Sequence, residues 1–315
     1  MFQGDNRTLL ELQLPPTGIM RRISICVFFC LISPCFTSLS DDYFLPFSGL
    51  ISPLPPETPE PINIISSKAK PIVTTPLVIL SGLFDRVHLR NTGHSVEINL
   101  DQPITSSIAT GGVLYNNIYV LNSFKFHWTD DLNGISGTTC DGKDGTPLEV
   151  SIWYCSKKCG SFSNCLNDRD GLFELRIRIN VRGSVPNPLF SPLQQYLKQI
   201  RKANTVSEDF PIALAFLWFD IFPPWNQYYA YPGSYFKESN GRHYYCSTTV
   251  VPPLFPFHFI SKEQFKDTFG KFQRLNGTRL TDANPQALQG RRPVVVTRGV
   301  LNIPTIGIPF APTPF

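Results

Sequence analysis

Residues 117–128 read N-I-Y-V-L-N-S-F-K-F-H-W, and apolar side chains alternate with other side chains over much of this stretch. The alternation predicts a β-strand, because successive side chains of a strand point to opposite faces. The predicted apolar face consists of Ile118, Val120, Phe124, Phe126 and Trp128. Lys125 and His127 would share the other face, at the spacing with which one strand can offer two side chains to one metal ion. Lysine is a poor ligand, however, because its ammonium group has no lone pair and repels a dication.

The same strand pattern recurs elsewhere in the chain. Residues 172–181 read L-F-E-L-R-I-R-I-N-V, which places apolar side chains on one predicted face and charged side chains on the opposite one. Helical periodicity is limited to residues 193–201 and 262–272. The 25 Phe and 29 Pro residues are typical of a β-rich fold with irregular connections. We therefore predict a mainly β (α+β) fold.

Length and composition favour one large domain. The 315 residues are 42% hydrophobic and only 17% charged, which is enough apolar material for a single large core. The formal net charge is +4 and no basic run occurs, so the composition gives no indication of a nucleic-acid partner.

Several short blocks resemble, in chain order, motifs of the α-class carbonic anhydrases. The blocks are residues 61–64 (P-I-N-I), 91–96 (N-T-G-H-S-V), 111–114 (G-G-V-L), 123–128 (S-F-K-F-H-W), 148–151 (L-E-V-S), 228–234 (Y-Y-A-Y-P-G-S), 260–265 (I-S-K-E-Q-F) and 287–291 (A-L-Q-G-R). Together they span roughly residues 59–298. The resemblance implies a large, mostly antiparallel twisted sheet with a few short peripheral helices.

The resemblance also implies that the zinc site of the family has been lost. The positions that match the three zinc-binding histidines are occupied by Lys125, His127 and Ser151. A catalytic zinc needs about three protein ligands and an open position for water, and only His127 remains a good ligand. We therefore predict no catalytic residue and no cofactor in this chain.

Residues that would support such a site are altered as well. The threonine that orients the zinc-bound hydroxide in the family falls on about Phe236, and residues 136–141 lack the glutamate that holds that threonine. His94 matches the proton-shuttling histidine of the family, but a shuttle without a zinc-bound hydroxide to serve is inert, which favours a solvent-facing residue after a turn glycine. Glu149 matches a carboxylate that supports a zinc ligand in the family. These positions form the predicted vestigial pocket of His94, Glu149 and Phe236.

Two interpretations of Lys125 remain open. In one, its ammonium group replaces the missing cation and neutralises Glu149 or a nearby acid. In the other, the side chain lies along apolar walls and reaches water.

The N-terminal region predicts secretion. Residues 1–40 form an N-terminal extension with a signal peptide, in which Arg21 and Arg22 precede an apolar region that starts near residue 23. This region is shorter than the roughly 20 residues that span a bilayer, so we expect no membrane span in the mature chain. Either Met1 or Met20 could be the start. We predict a Pro/Ser-rich lead-in at 41–58, the carbonic anhydrase-like domain at 59–299 and an extended arm at 300–315.

The cysteine residues agree with passage of the chain through an oxidising secretory compartment. The candidates for disulfides are Cys140, Cys155, Cys159, Cys165 and Cys246. Secreted members of the family often join a cysteine near the mature N-terminus to one that matches Cys246. No cysteine occurs between residues 36 and 139, so the partner of Cys246 must differ here. The odd number leaves a free thiol, an intermolecular bridge or retention of Cys35. Asn276 begins a glycosylation sequon.

Three functions follow from these observations. The first is a secreted, catalytically inactive carbonic anhydrase-related protein that binds an extracellular protein or a small anionic ligand, or has a structural role. The second is an active carbonate dehydratase, a lyase, with zinc in a rebuilt site; its further donors would be His88, His94, His243 or His258. The third is a matrix or mineral-associated protein, for which the expected acidic or Gly-rich repeats do not occur.

Overall fold

The strand predicted from residues 117–128 lies near the middle of a large sheet. The computed structural model describes residues 62–72, 74–82, 85–142, 145–215, 227–237, 242–254, 258–274, 276, 293–294 and 297–300. All of these residues belong to one of the chain's two compact units.

Strands dominate the described residues. They are β1 (Asn63–Ile64), β2 (Lys70–Ile72), β3 (Leu77–Leu80), β4 (Arg86–Val87), β5 (Arg90–Asn91), β6 (Val96–Gly111), β7 (Tyr119–Trp128), β8 (Thr139–Cys140), β9 (Leu148–Ser156), β10 (Leu172–Val181), β11 (Thr205–Val206), β12 (Phe210–Pro211), β13 (Gln227–Lys237), β14 (Arg242–Val251), β15 (Phe259–Ile260), β16 (Pro293–Val294) and β17 (Thr297–Val300). The α-helices are α1 (Phe162–Cys165), α2 (Ser191–Gln199) and α3 (Lys262–Thr268). Short 3-10 turns occur at Ser66–Lys68, Gly112–Leu114, Lys157–Cys159 and Phe269–Lys271.

The main sheet is mixed and mostly antiparallel. Its strand order is β11-β5-β6-β7-β9-β10-β14-β13-β17-β2, with β3 beside β6 and β15 beside β10. The pairs β10–β14, β10–β15 and β17–β2 are parallel, and the other neighbours in this sheet are antiparallel. Two small sheets, β16-β1-β8 and β12-β4, accompany it. The predicted fold class, a large sheet with a few short helices, is confirmed.

Helices α2 and α3 cover one face of this sheet, where their buried side chains join the main hydrophobic core. Trp128 from β7 lies 5.5 Å from the rings of both Phe269 and Phe272, which follow α3. Helix α3 begins with a capping box, because Ser261 accepts from the backbone N–H of Gln264 and donates its own N–H to the Gln264 side chain. Helix α2 has a proline in its first turn, where the missing N–H costs little. Both predicted helical segments are confirmed, with ends that differ by a few residues.

The predicted apolar face of β7 is correct only for its second half. Phe124, Phe126 and Trp128 are fully buried, but Ile118 precedes the strand and is 38% exposed. The register between β7 and β9 shifts between Leu121 and Ser123, so β7 contains one extra residue there. A bulge of this kind reverses the alternation. The core side chains before it are therefore Tyr119 and Leu121, and Val120 points to the other face.

Several predicted regions lie outside the described residues. These are the signal peptide, the lead-in and all of the C-terminal arm except Val300, which ends β17. Within the described part of the chain, no helix is long and apolar enough to cross a membrane.

Candidate functional site

The three positions of the predicted vestigial zinc site meet on neighbouring strands. Lys125 and His127 lie on β7, and the register of β7 with β9 places Lys125 opposite Ser151 and His127 opposite Glu149. Directly paired residues of an antiparallel ladder share a face of the sheet, with Cβ atoms about 5 Å apart. The four side chains therefore form one patch. On the other side of β7, Glu97 is the residue opposite Lys125.

The two β9 residues of this patch are more deeply buried than the two β7 residues. Ser151 and Glu149 are each 2% exposed, whereas Lys125 and His127 are half-buried. Glu149 accepts a hydrogen bond of 2.9 Å from the backbone N–H of Thr138. A Cβ built on Gly137 would collide with the Glu149 carboxylate, so this approach requires glycine. Burial raises the pKa of Glu149, and His127 and the Thr138 backbone N–H partly offset that effect.

A buried network of charges continues from this patch onto β10. Arg176 lies opposite Ser151, and its Nε donates a 2.8 Å hydrogen bond to Glu174. Its Nη1 also lies 3.9 Å from the Glu149 carboxylate. The hydroxyl of Thr249 on β14 donates to the second Glu174 oxygen at 2.9 Å. Arg176 therefore stands between two buried carboxylates.

Burial perturbs both ends of the Glu174–Arg176 pair. Glu174 is fully buried, and desolvation raises its pKa to about 8, with the Glu149 charge acting in the same direction. Hydrogen bonds from Ser151 and Thr249 lower the pKa of Glu174 in part. Burial lowers the pKa of Arg176. The Ser151 hydroxyl, at one of the predicted vestigial zinc-ligand positions, is thus engaged with a carboxylate of the network.

A second buried guanidinium, that of Arg178, lies at the end of the network near β8. Arg178 lies opposite Glu149, is 4% exposed and lowers the pKa of that glutamate. Its Nη1 lies 3.3 Å from the Cys140 sulfur and its Nη2 donates to the Pro252 carbonyl at 3.2 Å. The cation of Arg178 is therefore held by the backbone of the segment after β14 as well as by Glu149.

Sequence reasoning placed charged residues opposite the apolar face of residues 172–181 but did not assign them to the site. The structure buries Glu174, Arg176 and Arg178 there. The sequence signal that could have identified them is one acidic and two basic residues at alternate positions of one strand, because side chains at that spacing share a face. Their burial depends on the strands that flank β10, and the sequence pattern of β10 alone does not reveal which strands those are.

The structure brings His94 near the patch but not Phe236. His94 is exposed and precedes β6, whose Val96 pairs with Phe126, so it lies beside the end of β7 that carries His127. Gly93 before it adopts a φ of 83°, which supports the reading of a turn. The backbone of Phe236 instead pairs with His243 in the β13–β14 hairpin. This hairpin extends the two strands away from Glu149. Phe236 and Glu149 are therefore separated by roughly 30 Å along the strand direction.

The other histidines considered as donors occupy separate parts of the fold. His243 is on strand β14 rather than in a loop, at the far end from the row of His127. The Nδ1 atom of His88 lies 3.9 Å from Asp209, and His258 is buried beside β15. Within the described residues no cluster of three His, Cys, Asp or Glu side chains could hold a metal ion.

Two further groups of predicted residues have defined places. Cys155 and Cys165 form a disulfide, and no disulfide joins Cys140, Cys159 or Cys246 to another described cysteine. Asn276 is exposed, as an acceptor of glycosylation has to be.

Comparisons with known proteins agree with this architecture. The family model of the eukaryotic-type carbonic anhydrases matches residues 58–238. The chain is 30% identical to carbonic anhydrase 6 of Bos taurus over 151 residues, which are 46% of this chain and 44% of that protein. It is 29% identical to carbonic anhydrase 7 of Homo sapiens over 180 residues, which are 55% of this chain and 64% of that protein. The chain thus spans about half to two thirds of the length of these relatives. Because the family model matches more than half of the sequence, the chain belongs to the eukaryotic-type carbonic anhydrase family.

Proposed function

We propose that this protein is a secreted carbonic anhydrase-related protein that lacks a functional zinc site and does not hydrate CO2. It would act in the extracellular space as a binding or structural module. The observation that carries the proposal is the pairing of Lys125 with Ser151 beside His127. These three residues are adjacent at the positions where the family has its zinc ligands, and two of them cannot serve as good ligands.

The chemistry of the donors does not fit a zinc ion. A protonated lysine offers no lone pair, and a neutral serine hydroxyl is a much weaker ligand than imidazole or a carboxylate. The carboxylate of the patch on β9, Glu149, accepts a hydrogen bond from the Thr138 backbone and lies near Arg176 and Arg178. Its charge is thus already compensated by two guanidinium groups. One imidazole, that of His127, is left as the metal-binding group of the patch.

The buried network supports the same proposal in a second way. Glu174 and Arg176 extend from β10 into the face that Lys125, His127 and Ser151 share. Together with Thr249 they place polar and charged side chains that bond to one another on this face. Activation of water by a metal requires an open coordination position, which this arrangement does not favour.

Secretion rests on independent observations. The apolar region near residue 23 after two arginines is typical of a signal peptide. The Cys155–Cys165 disulfide suits an oxidising compartment, and Asn276 offers an exposed sequon asparagine. For a partner, the half-buried Lys125 and His127 favour a small anion or an acidic group of an extracellular protein.

The test measures zinc per chain and CO2 hydration for protein secreted from eukaryotic cells and purified without chelator. We expect zinc near zero and no hydration above the rate of the buffer. The matched variant is the double substitution Lys125→His and Ser151→His, which restores three histidines on β7 and β9. It should bind about one zinc per chain if the strands hold these positions as the register indicates.

Two results would overturn the proposal. One zinc per chain in the unmodified protein, together with hydration activity, would establish an active enzyme with a rebuilt site. Retention of the unmodified chain inside expressing cells without glycan at Asn276 would contradict the secreted location, independently of the zinc result.

A further inference from the structure

Four of the cysteines gather at one end of the main sheet. Cys155, Cys165 and Cys246 are buried in a small hydrophobic cluster with Trp153, and Cys159 packs against its edge. Cys155 and Cys165 are bonded to each other, so Cys159 and Cys246 are the two free thiols of this cluster. The fifth cysteine, Cys140, belongs to a different cluster and contacts Arg178.

A bulge in β14 turns Cys246 toward this cluster. Gly233 pairs with Ser247 and Tyr235 pairs with Tyr244, so β14 contains one more residue than β13 between these two pairs. Strict alternation from Ser247, which shares a face with Leu172, would point Cys246 to the opposite face. The extra residue removes that constraint, and Cys246 is buried in the same cluster as Leu172 and Cys155.

The segment that carries Cys159 is held against the same hairpin by aromatic contacts. Phe162, three residues after Cys159, packs its ring 5.2 Å from that of Tyr235. Tyr235 also lies 5.0 Å from Trp153, edge to face. The carbonyl of Cys159 accepts a 2.9 Å hydrogen bond from the Asn164 side chain, which fixes the turn before α1. The two chain segments therefore meet within a few residues of both thiols.

The electrostatics of the two thiols also indicate proximity and assign them different roles. Burial raises the pKa of Cys246 to about 12, and the charges of Cys159 and Asp168 act in the same direction. Cys159 is half-exposed, and burial together with Asp168 raises its pKa too. Because reaction with a disulfide requires a thiolate and access, Cys159 is the thiol that an oxidant reaches first.

We propose that Cys159 and Cys246 form a second disulfide, which joins the turn before α1 to the β13–β14 hairpin. The Cys159 thiolate attacks a small disulfide oxidant of the glutathione disulfide class, and one reduced thiol leaves. The Cys246 thiolate then displaces the second thiol from the mixed disulfide. The two cysteine protons end on the two leaving thiolates, the two cysteines are oxidised, and the oxidant is reduced to two thiols. Cys140 remains reduced, which accounts for the odd number of cysteines in the domain.

The inference rests on the proposed secretion only for its oxidising environment, so its test is made in vitro. The full chain is equilibrated in a glutathione buffer that forms Cys155–Cys165, denatured, alkylated and mapped by mass spectrometry without reduction. We expect a linked pair of peptides that contain Cys159 and Cys246, with alkylation at Cys140. In Cys159→Ser, Cys246 should become alkylated, and in the control Cys140→Ser the linked peptides should persist.

The opposite outcome is equally defined. Alkylation of both Cys159 and Cys246 in buffer that forms Cys155–Cys165 would overturn the inference, as would a link from Cys246 to any other cysteine. Neither result depends on where cells place the protein. A failure of secretion in cells therefore remains distinguishable from a failure of this disulfide.

Discussion

Replacing Arg176 by methionine should destabilise the protein strongly. Arg176 bonds to Glu174 at 2.8 Å and lies 3.9 Å from Glu149, and its side chain is 9% exposed. Methionine fills a similar volume but leaves two buried carboxylates without the cation between them. Breaking a buried ion pair by removal of one partner costs about 3–5 kcal/mol. Since a domain of this kind is stable by roughly 5–15 kcal/mol, the variant would lose a large part of its stability.

The assay is urea denaturation followed by tryptophan fluorescence, at about pH 8.5 and again at about pH 5.5, with pH values chosen on either side of the raised pKa of Glu174. The loss of unfolding free energy should be larger at the higher pH, where Glu174 is ionised to a greater extent. It should shrink at the lower pH, because a protonated carboxyl group no longer needs the cation. The double variant with Glu174→Gln should recover part of the loss, since one of the two charges is then absent.

The control is Lys198→Met, which removes the cation of an exposed ion pair. Lys198 lies 2.5 Å from Asp267, and both side chains are at least 40% exposed. Exposed pairs contribute about 0–1 kcal/mol, so this variant should change stability little. A loss below about 1 kcal/mol for Arg176→Met at the higher pH would refute the reasoning, because the buried network would then not depend on its cation.

Three further predictions concern the network, the vestigial site and helix α3. The free energy of unfolding should fall as pH rises from about 4.5 toward 8, because folded Glu174 holds a proton that the unfolded chain releases. Denaturation across this range should show a smaller pH dependence in Glu174→Gln. An unchanged pH dependence in that variant would contradict the assignment of the effect to Glu174. Lys125→Met should lower the free energy of unfolding by about 0.5–1 kcal/mol, because Lys125 lies opposite Glu97 and the attraction between their charges is lost. A double-mutant cycle with Glu97→Gln should show coupling between the two residues. Additive effects would mean that the Lys125 side chain reaches water instead. Ser261→Ala should lower the free energy of unfolding by about 1 kcal/mol by removing the N-cap of α3. Ser261→Thr, which keeps the capping hydroxyl without burying a charge, should retain more of the stability in thermal melts.

Much of the fold could be predicted from local patterns. The strand at residues 172–181 has the predicted bounds, and the helices near residues 193 and 262 follow their 3.6-residue periodicity. The apolar face of β7 was predicted correctly after Ser123 and incorrectly before it. The bulge near Asn122 is set by pairing with β9, and no local pattern signals it.

The sequence by itself predicted which residues match the zinc-ligand positions of the family. Lys125, His127 and Ser151 are fixed by residue type and spacing, and their chemistry follows from those types alone. Only the tertiary structure decided what surrounds them. Glu174 and Arg176 reach the site because β10 lies beside β9. Cys159, which follows β9, packs in the same cluster as Cys246 because β14 lies beside β10, although β10 and β14 are distant in the chain. Burial increases the energetic contribution of these contacts, because the pKa values of charged groups and thiols removed from water depend on the groups that face them.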